Sequence, residues 1–460
     1  MDDHPAELHR VLRTAKRRFL LPPLPSSLQA AADAGEDVLL AFCLESARLA
    51  VARDGVPSAS VEQAFGDALA QLIRRAMDAT HGDPTFQAQV LHWRDAGIQE
   101  WAALSATAAG DARELRTALD AFAHPGKLRG LPEDALRGAL LQLHDLAHAA
   151  DWAALRAAAE TVAEAPAGRD PALSAWVRAL VAHPALNRRL RALELDRLEA
   201  VRHYKALRFM RSPAVGSSAA VENGRTSARE GTRTEQAAAH ALQDMADCLN
   251  AAVPGGAAPY RVLRSLLTPA ALAGADRSKL EWDAAIVRSD GAKSGIDDVV
   301  LLAEAKAAPA AATTDLPRLL RGLAGLAQAR EGAHHDFACA GGAVRLSGAS
   351  LRALQPQGHA IPAQVIYLCA ARPEPRPALL GAAAKALLLA QPPSLGFAAE
   401  VAQGQVPATD MLAPVWHALL NEGRLRAVLN QYDTARRARE AMLHPDDLSA
   451  AVQDLRRERA

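Results

Sequence analysis

The chain has 460 residues, with 52 basic and 52 acidic side chains, so its formal net charge is zero. That balance excludes a global electrostatic pull towards nucleic acid, and any polyanion-binding surface has to be local. Half of the residues are hydrophobic but only 4% are aromatic, a composition that suits many closely packed helices in a chain long enough for two or three domains.

Four cysteines, Cys43, Cys248, Cys339 and Cys369, show no CxxC spacing. They point to a reducing compartment, with neither a disulfide frame nor a zinc ribbon. The start, MDDHPAELHR, lacks the basic-then-apolar pattern of a leader. No run approaches the roughly 20 apolar residues of a membrane span. The expectation is a soluble, cytoplasmic protein.

Residues 1–211 read as an all-α domain. SVEQAFGDALAQLIRRAMDAT opens on Ser60 with Gln63 three residues later, a capping-box pattern. Its Val61, Phe65, Leu69 and Leu72 recur at helical spacing. In HDLAH, His144 and His148 stand one helical turn apart, as in H-E-x-x-H, but Asp145 replaces the Glu. No third ligand follows at a recognised spacing, so a solvated helical face is expected there. PALNRRLRALELDRLEAVRHYKALRFMRS predicts one long helix. Its Arg188, Arg189, Arg191, Arg197, Arg202, Lys205, Arg208 and Arg211 are opposed only by Glu194, Asp196 and Glu199. This helix and HRVLRTAKRRF near the start are candidate phosphate-binding stretches. The competing expectation is a solvated surface in an Arg-rich chain.

The texture changes at SPAVGSSAAVENGRTSAREG, residues 212–231, where small and polar residues without an apolar period predict a flexible linker. Residues 232–372 then alternate. TRTEQAAAHALQDMADCLNAA is helical and PYRVLRSLL is a candidate strand. KLEWDAAIVRS is a strand ended by the turn signal Asp290-Gly291, and DDVVLLAEAKA is another strand. TTDLPRLLRGLAGLAQAREG is a helix with Thr314 or Asp315 near its start, and AQVIYLCAA is a later buried strand. The fold class is therefore mainly α, with a small mixed sheet in an α/β domain. HHD, at His334 to Asp336, is expected in a Gly-flanked loop. Residues 373–460 return to helices as a C-terminal extension.

In a strand, side chains two apart share a face. Glu304 and Lys306 then point the same way as Leu302 and Val300, with Val299, Leu301 and Ala303 on the other side. If KLEWDAAIV and DDVVLLAEAKA pair as a hairpin, Asp283 sits beside Glu304. Two carboxylates and a Lys converge. Such a set suits Mg2+ or Mn2+, which takes one or two carboxylates and keeps several waters. A bound metal stabilises charge on a phosphodiester and lowers the pKa of its water. Lys306 would orient or deprotonate that water, or neutralise developing charge; a Lys can lose its proton where an Arg cannot. Only seven of the 52 basic residues are Lys, which adds weight to a Lys at this place. The plainer expectation is a cross-strand ion pair between Asp283 and Lys306 at a sheet edge. About one acid-x-Lys match is expected by chance in such a chain, so the context carries the signal rather than the motif.

Asp283 in one strand, Glu304-Ala305-Lys306 in the next and a helix after it resemble the PD-(D/E)xK nuclease superfamily. The resemblance covers about 140 residues, 232–372, and departs from the pattern in having Trp282 before the Asp. It implies a restriction-endonuclease-like fold, with Asp283 and Glu304 as metal ligands and Lys306 as the catalytic Lys. It further implies an accessory acid in the preceding helix, for which Glu235 is the candidate, and phosphate contacts from Arg318 or Arg321. The expected function is metal-dependent hydrolysis of nucleic acid, DNA in the first place, with the helical domain holding substrate or a protein partner. The alternative is a non-catalytic interaction protein that keeps the fold. No GxxxxGK[ST], no GxGxxG after a strand and no GxSxG occurs, so nothing points to an NTPase, a Rossmann dehydrogenase or an α/β hydrolase.

Overall fold

The computed structural model describes residues 4–459 except 131, 134, 165–170, 211–217, 254–256, 275–277 and 290–294; of 4–5 and 218–228 it describes the backbone alone. The protein is mainly helical with one small mixed sheet. Two compact units share it. One comprises Met1–Leu72, Val215–Gln391 and Ala408–Ala460, and the other Ile73–Ala214 and Pro392–Pro407.

The first unit holds the sheet. β1 (Tyr260–Leu267), β2 (Glu281–Ser289) and β3 (Asp297–Ala305) run antiparallel in sequence order. The Pro309–Leu326 helix follows, and the chain re-enters the sheet at β6 (Val365–Leu368), parallel to β3. Between helix and β6 comes a hairpin of β4 (His334–Cys339) and β5 (Gly342–Ser347), and β7 (Met442–Leu443) later adds beside β6. The β4–β5 hairpin was not expected: the HHD stretch opens β4 rather than lying in a loop.

Both sheet faces are covered, which is why β2 and β3 read as near-continuous apolar runs. On one face Trp282, Ala285 and Leu302 pack with Leu316, Leu319 and Leu323 of the Pro309–Leu326 helix. On the other, Ile286, Leu301 and Ala303 pack with Leu242 and Met245 of the Ser218–Ala251 helix, and with Leu8, Leu448 and Val452. Each such Leu contributes roughly 1.5–3 kcal/mol when fully buried. The termini therefore belong with the sheet: the helices His4–Thr14 and Pro445–Arg459 cover its second face. Domain limits drawn at 211 and 372 follow chain order, whereas the packed units do not. The expected linker is corrected too. Its residues from 218 onward form the first turns of the 34-residue Ser218–Ala251 helix. Two Gly in that stretch cost about 1 kcal/mol each in a helix, which the packed remainder of the helix offsets. Residues 212–217 of it, and the Asp290-Gly291 turn, lie outside the described residues.

Ala284 pairs with Ala303, Ala285 with Leu302 and Ile286 with Leu301; then the register slips and Val287 pairs with Val299. Val300 is the extra residue of a bulge. The expected facing is thereby reversed at Val299 and Val300: Val299 joins Leu302, while Val300 packs with Leu301 and Ala303.

The second unit is helical: Pro84–Arg94, Ala96–Asp120, Ala135–His148, Trp152–Glu164, Pro171–Val181, Pro184–Leu195 and Glu199–Phe209 are its main helices. Leu115, Leu119, Leu140, Leu143 and Trp152 lie in one core, Ile98, Val201 and Tyr204 in another. The single long helix expected after Pro184 breaks at 196–198. Leu195 and Val201 are both buried, yet one continuous helix would set them about 120° apart around its axis. The break lets both face inward, and Lys205 reaches back across it to Asp196 (3.0 Å). In the first unit, the Ala59–Ala76 helix starts just before the expected Ser60 cap, with the Val61 and Glu62 amides bonded to the Ser58 carbonyl.

Candidate active site

The ends of β2 and β3 carry the site. The Ala284–Ala303 pair sets Asp283 level with Glu304 one step further on. The β3–β6 register places Tyr367 beside Glu304 on the other side. Glu304 is fully buried, at 0% exposure. Its Oε2 lies 2.6 Å from Lys279 Nζ and 3.2 Å from Lys306 Nζ. Its Oε1 is buried with no hydrogen-bond partner, an arrangement that costs about 1–3 kcal/mol. Lys306 Nζ also meets Asp315 Oδ2 at 3.3 Å, and the Tyr367 hydroxyl donates to the same oxygen at 3.2 Å. Asp283 Oδ2 accepts the Ala305 amide at 2.8 Å.

Asp283, Glu304 and Lys306 are thus brought together, but not as the plain ion pair between Asp283 and Lys306. Lys306 pairs with Glu304 and Asp315, while Asp283 bonds to backbone. Burial pushes the Glu304 carboxyl up to about 8, the Asp283 charge adds to this, and Lys279 and Lys306 oppose it. Burial disfavours the Lys306 ammonium, but Glu304, Asp315 and Asp283 outweigh it and raise its pKa. A raised pKa favours the charged form of Lys306 and suits an electrostatic role.

Two further site residues were not singled out in the sequence. Asp315 was expected near the helix start; the helix begins instead at Pro309, so Asp315 falls in its second turn and turns to Lys306. Lys279, only 7% exposed, roofs Glu304, with its ammonium 6.0 Å from the Trp282 ring centre. The scarcity of Lys that drew attention to Lys306 applied equally to Lys279. Its position depends on Gly322: a Cβ there would sit 2.9 Å from Lys279 Cβ and 3.1 Å from Trp282 Cζ2. Only a glycine lets the Pro309–Leu326 helix approach the Lys279 segment so closely.

Glu235 is exposed and lines a cavity of about 310 Å3 together with Glu281, Asp283, Arg264 and Ser265. Ser265 has φ +50° within β1. It falls between the pairs Arg264–Ala284 and Leu266–Trp282, across from Asp283. Such backbone strain costs on the order of 1–3 kcal/mol and concentrates at functional sites. Arg318 Nε lies 3.5 Å from the Ser278 carbonyl, next to Lys279. Arg321 is exposed further along the same helix.

Some residues of the basic stretches are engaged in ion pairs. Arg188 pairs with Asp111 (2.6 Å), and Arg191 with Glu100 (2.8 Å) and Glu194 (3.1 Å). Near the start, Arg10 pairs with Glu458 and Arg18 with Asp447. Among the described residues no helix is long and apolar enough to cross a membrane. Comparison of the chain with family models, curated proteins and solved structures finds no match.

Proposed function

We propose that the sheet unit is a metal-dependent nuclease domain of the PD-(D/E)xK kind, with a restriction-endonuclease-like arrangement, hydrolysing phosphodiester bonds in nucleic acid, DNA in the first place. The observation that carries this reading is the convergence of Asp283, Glu304 and Lys306 at the paired ends of β2 and β3. The order of helix, three antiparallel strands, helix and parallel strand supports it, as does the strained Ser265 across from Asp283.

The donor set suits Mg2+ or Mn2+. Its oxygens are hard, and Glu304 Oε1 is buried without a partner. Asp283 and Glu304 would hold the ion. When bound, it supplies charge stabilisation at the phosphoryl oxygens and a water of lowered pKa. Lys306 stays charged and faces the negative charge that develops on the phosphodiester. Glu235 lines the same cavity as Asp283 and would add an accessory acid there. Arg318 and Arg321, on the helix next to Lys279, offer phosphate contacts.

A second reading has one observation in its favour: Glu304 is sealed from solvent beneath two ammoniums, as a purely structural ion cluster would be. In that reading the domain is an inactive member of an interaction protein. The deciding experiment is cleavage of single- and double-stranded DNA and RNA with Mg2+ or Mn2+ by the wild type, Asp283→Ala and Lys306→Ala, with folding checked by circular dichroism. Metal-dependent cutting that both substitutions abolish upholds the nuclease reading. No cutting by the folded wild type, with no Mg2+ binding by calorimetry, sinks it.

A further inference from the structure

We infer that the helical unit carries a Zn2+ site formed by Asp120, His144 and His148. Asp120 ends the Ala96–Asp120 helix, and the two histidines occupy the last turns of the Ala135–His148 helix. One ligand atom from each lies within 4.8 Å of the others. The sequence offers no third ligand along the HDLAH helix because the third comes from another helix, 24 residues upstream of His144.

Four features of the cluster point to a metal. His144 Nε2 and Asp120 Oδ1 stand 3.6 Å apart, too far for a hydrogen bond. The edge of a tetrahedron around zinc is close to that distance, about 3.3–3.4 Å for bonds of about 2.0–2.1 Å. Asp120 Oδ1 is buried and has no hydrogen-bond partner. The His144 and His148 rings lie 4.3 Å apart between centres, at 38°, which keeps both imidazoles within reach of one ion. Finally, His144 Nδ1 is 3.4 Å from Asp145 Oδ1. A proton on that ring nitrogen, donated towards the carboxylate, would leave Nε2 free to ligate, the usual outer support of a metal-bound histidine. Asp145, which spoils the H-E-x-x-H pattern, thereby gains a positioning role.

Zinc suits this set better than magnesium, since imidazole is a borderline donor and Mg2+ demands oxygens. His124 is not a fourth ligand. Its Nδ1 accepts the Gly126 amide at 3.1 Å, so its proton is on Nε2, and its ring stands edge-on to His144 at 6.0 Å. His148 is exposed, and the fourth position opens to solvent. The ion would clasp the ends of two helices in the helical unit, independently of the nuclease centre.

The test is Zn2+ titration of the full chain, stripped with EDTA, against a chromophoric chelator, with Co2+ as a spectroscopic probe. The expected result is one Zn2+ per chain, visible d–d bands of tetrahedral Co2+, and a rise in melting temperature with Zn2+. His148→Ala, at an exposed position that leaves the core intact, weakens binding at least tenfold. Asp145→Asn weakens it about 10-fold, within the 10–100-fold range for such outer partners. Wild-type protein that binds no Zn2+, or that binds it as tightly as His148→Ala and a His144→Ala/His148→Ala double variant, would overturn the assignment.

Discussion

The charge state of Glu304 separates the two readings of the sheet unit, and Glu304→Gln tests it. The carboxyl is raised from an ordinary 4.5 to about 8. A carboxyl raised on folding binds its proton more tightly in the folded state, so its stabilisation is complete below pH 4.5 and is lost as pH rises towards 8. Gln is close to isosteric and permanently neutral, so it escapes that loss. Relative to wild type, the variant gains nothing near pH 4, about 2 kcal/mol at pH 6 and about 5 kcal/mol at pH 9, at 1.36 kcal/mol per pKa unit. The assay is urea or thermal unfolding of both proteins in EDTA, from pH 4 to 9, by circular dichroism. A gain that grows with pH marks a site kept at the expense of stability, as functional sites often are. The opposite result, a loss of about 3–5 kcal/mol for Glu304→Gln at pH 9, is what breaking a buried ion pair costs. It would show an ionised Glu304 clasped by Lys279 and Lys306, and would refute the reasoning.

Gly322→Ala forces a Cβ to within 2.9 Å of Lys279 Cβ; overpacking of this kind costs about 1–3 kcal/mol, read as a lower melting temperature. Asp111, 3% exposed, holds Arg188 and Thr107, so Asp111→Ala should destabilise the helical unit by about 1.5–3 kcal/mol at pH 7. Burial opposes the Asp111 charge but its Arg188 and Thr107 bonds win, and its pKa is lowered; the contribution is therefore present above the ordinary carboxylate range and fades as pH falls below it, which chemical unfolding at pH 7 and pH 3 will show. Because Arg188 and Arg191 are already neutralised, Arg188→Ala/Arg191→Ala should leave the salt dependence of nucleic-acid binding unchanged. A drop of about 2 in the slope of log K against log salt would instead make both of them phosphate contacts.

The elements around the site were readable wherever their signal was local. The apolar runs of β2 and β3 reveal both strands, and the two-residue spacing of Glu304 and Lys306 places them on one face. Features that depend on a second segment were not readable. The bulge at Val300 exists because the partner strand slips at Val287. Asp315 reads as a helix-start residue until the helix is seen to begin at Pro309 and Tyr367 is found against it. Asp120 becomes a ligand only when two helices meet, and a spacing motif read along one helix has no means of finding it. The packed units defeat a linear division for the same reason: helices from the first and last segments of the chain cover a sheet built mainly from its middle.

Burial, with the Asp283 charge beside it, outweighs Lys279 and Lys306 and lets the Glu304 carboxyl keep a proton. Glu304 meets Lys279 and Lys306, Lys306 also meets Asp315, and half-buried Asp283 stands beside Glu304. With Glu304 protonated, two carboxylates balance two ammoniums; with Glu304 ionised, one negative charge is left over in a medium that penalises it. A divalent cation reverses the account by favouring the ionised form. If the centre binds a divalent cation as proposed, binding is coupled to release of the Glu304 proton, and affinity for Mg2+ should rise with pH up to about 8 and level off above it. Calorimetry in two buffers of different ionisation enthalpy measures the released proton directly. Mg2+ binding without proton release at pH 7 would mean that Glu304 was already ionised, and the charge balance argued here would fail with it.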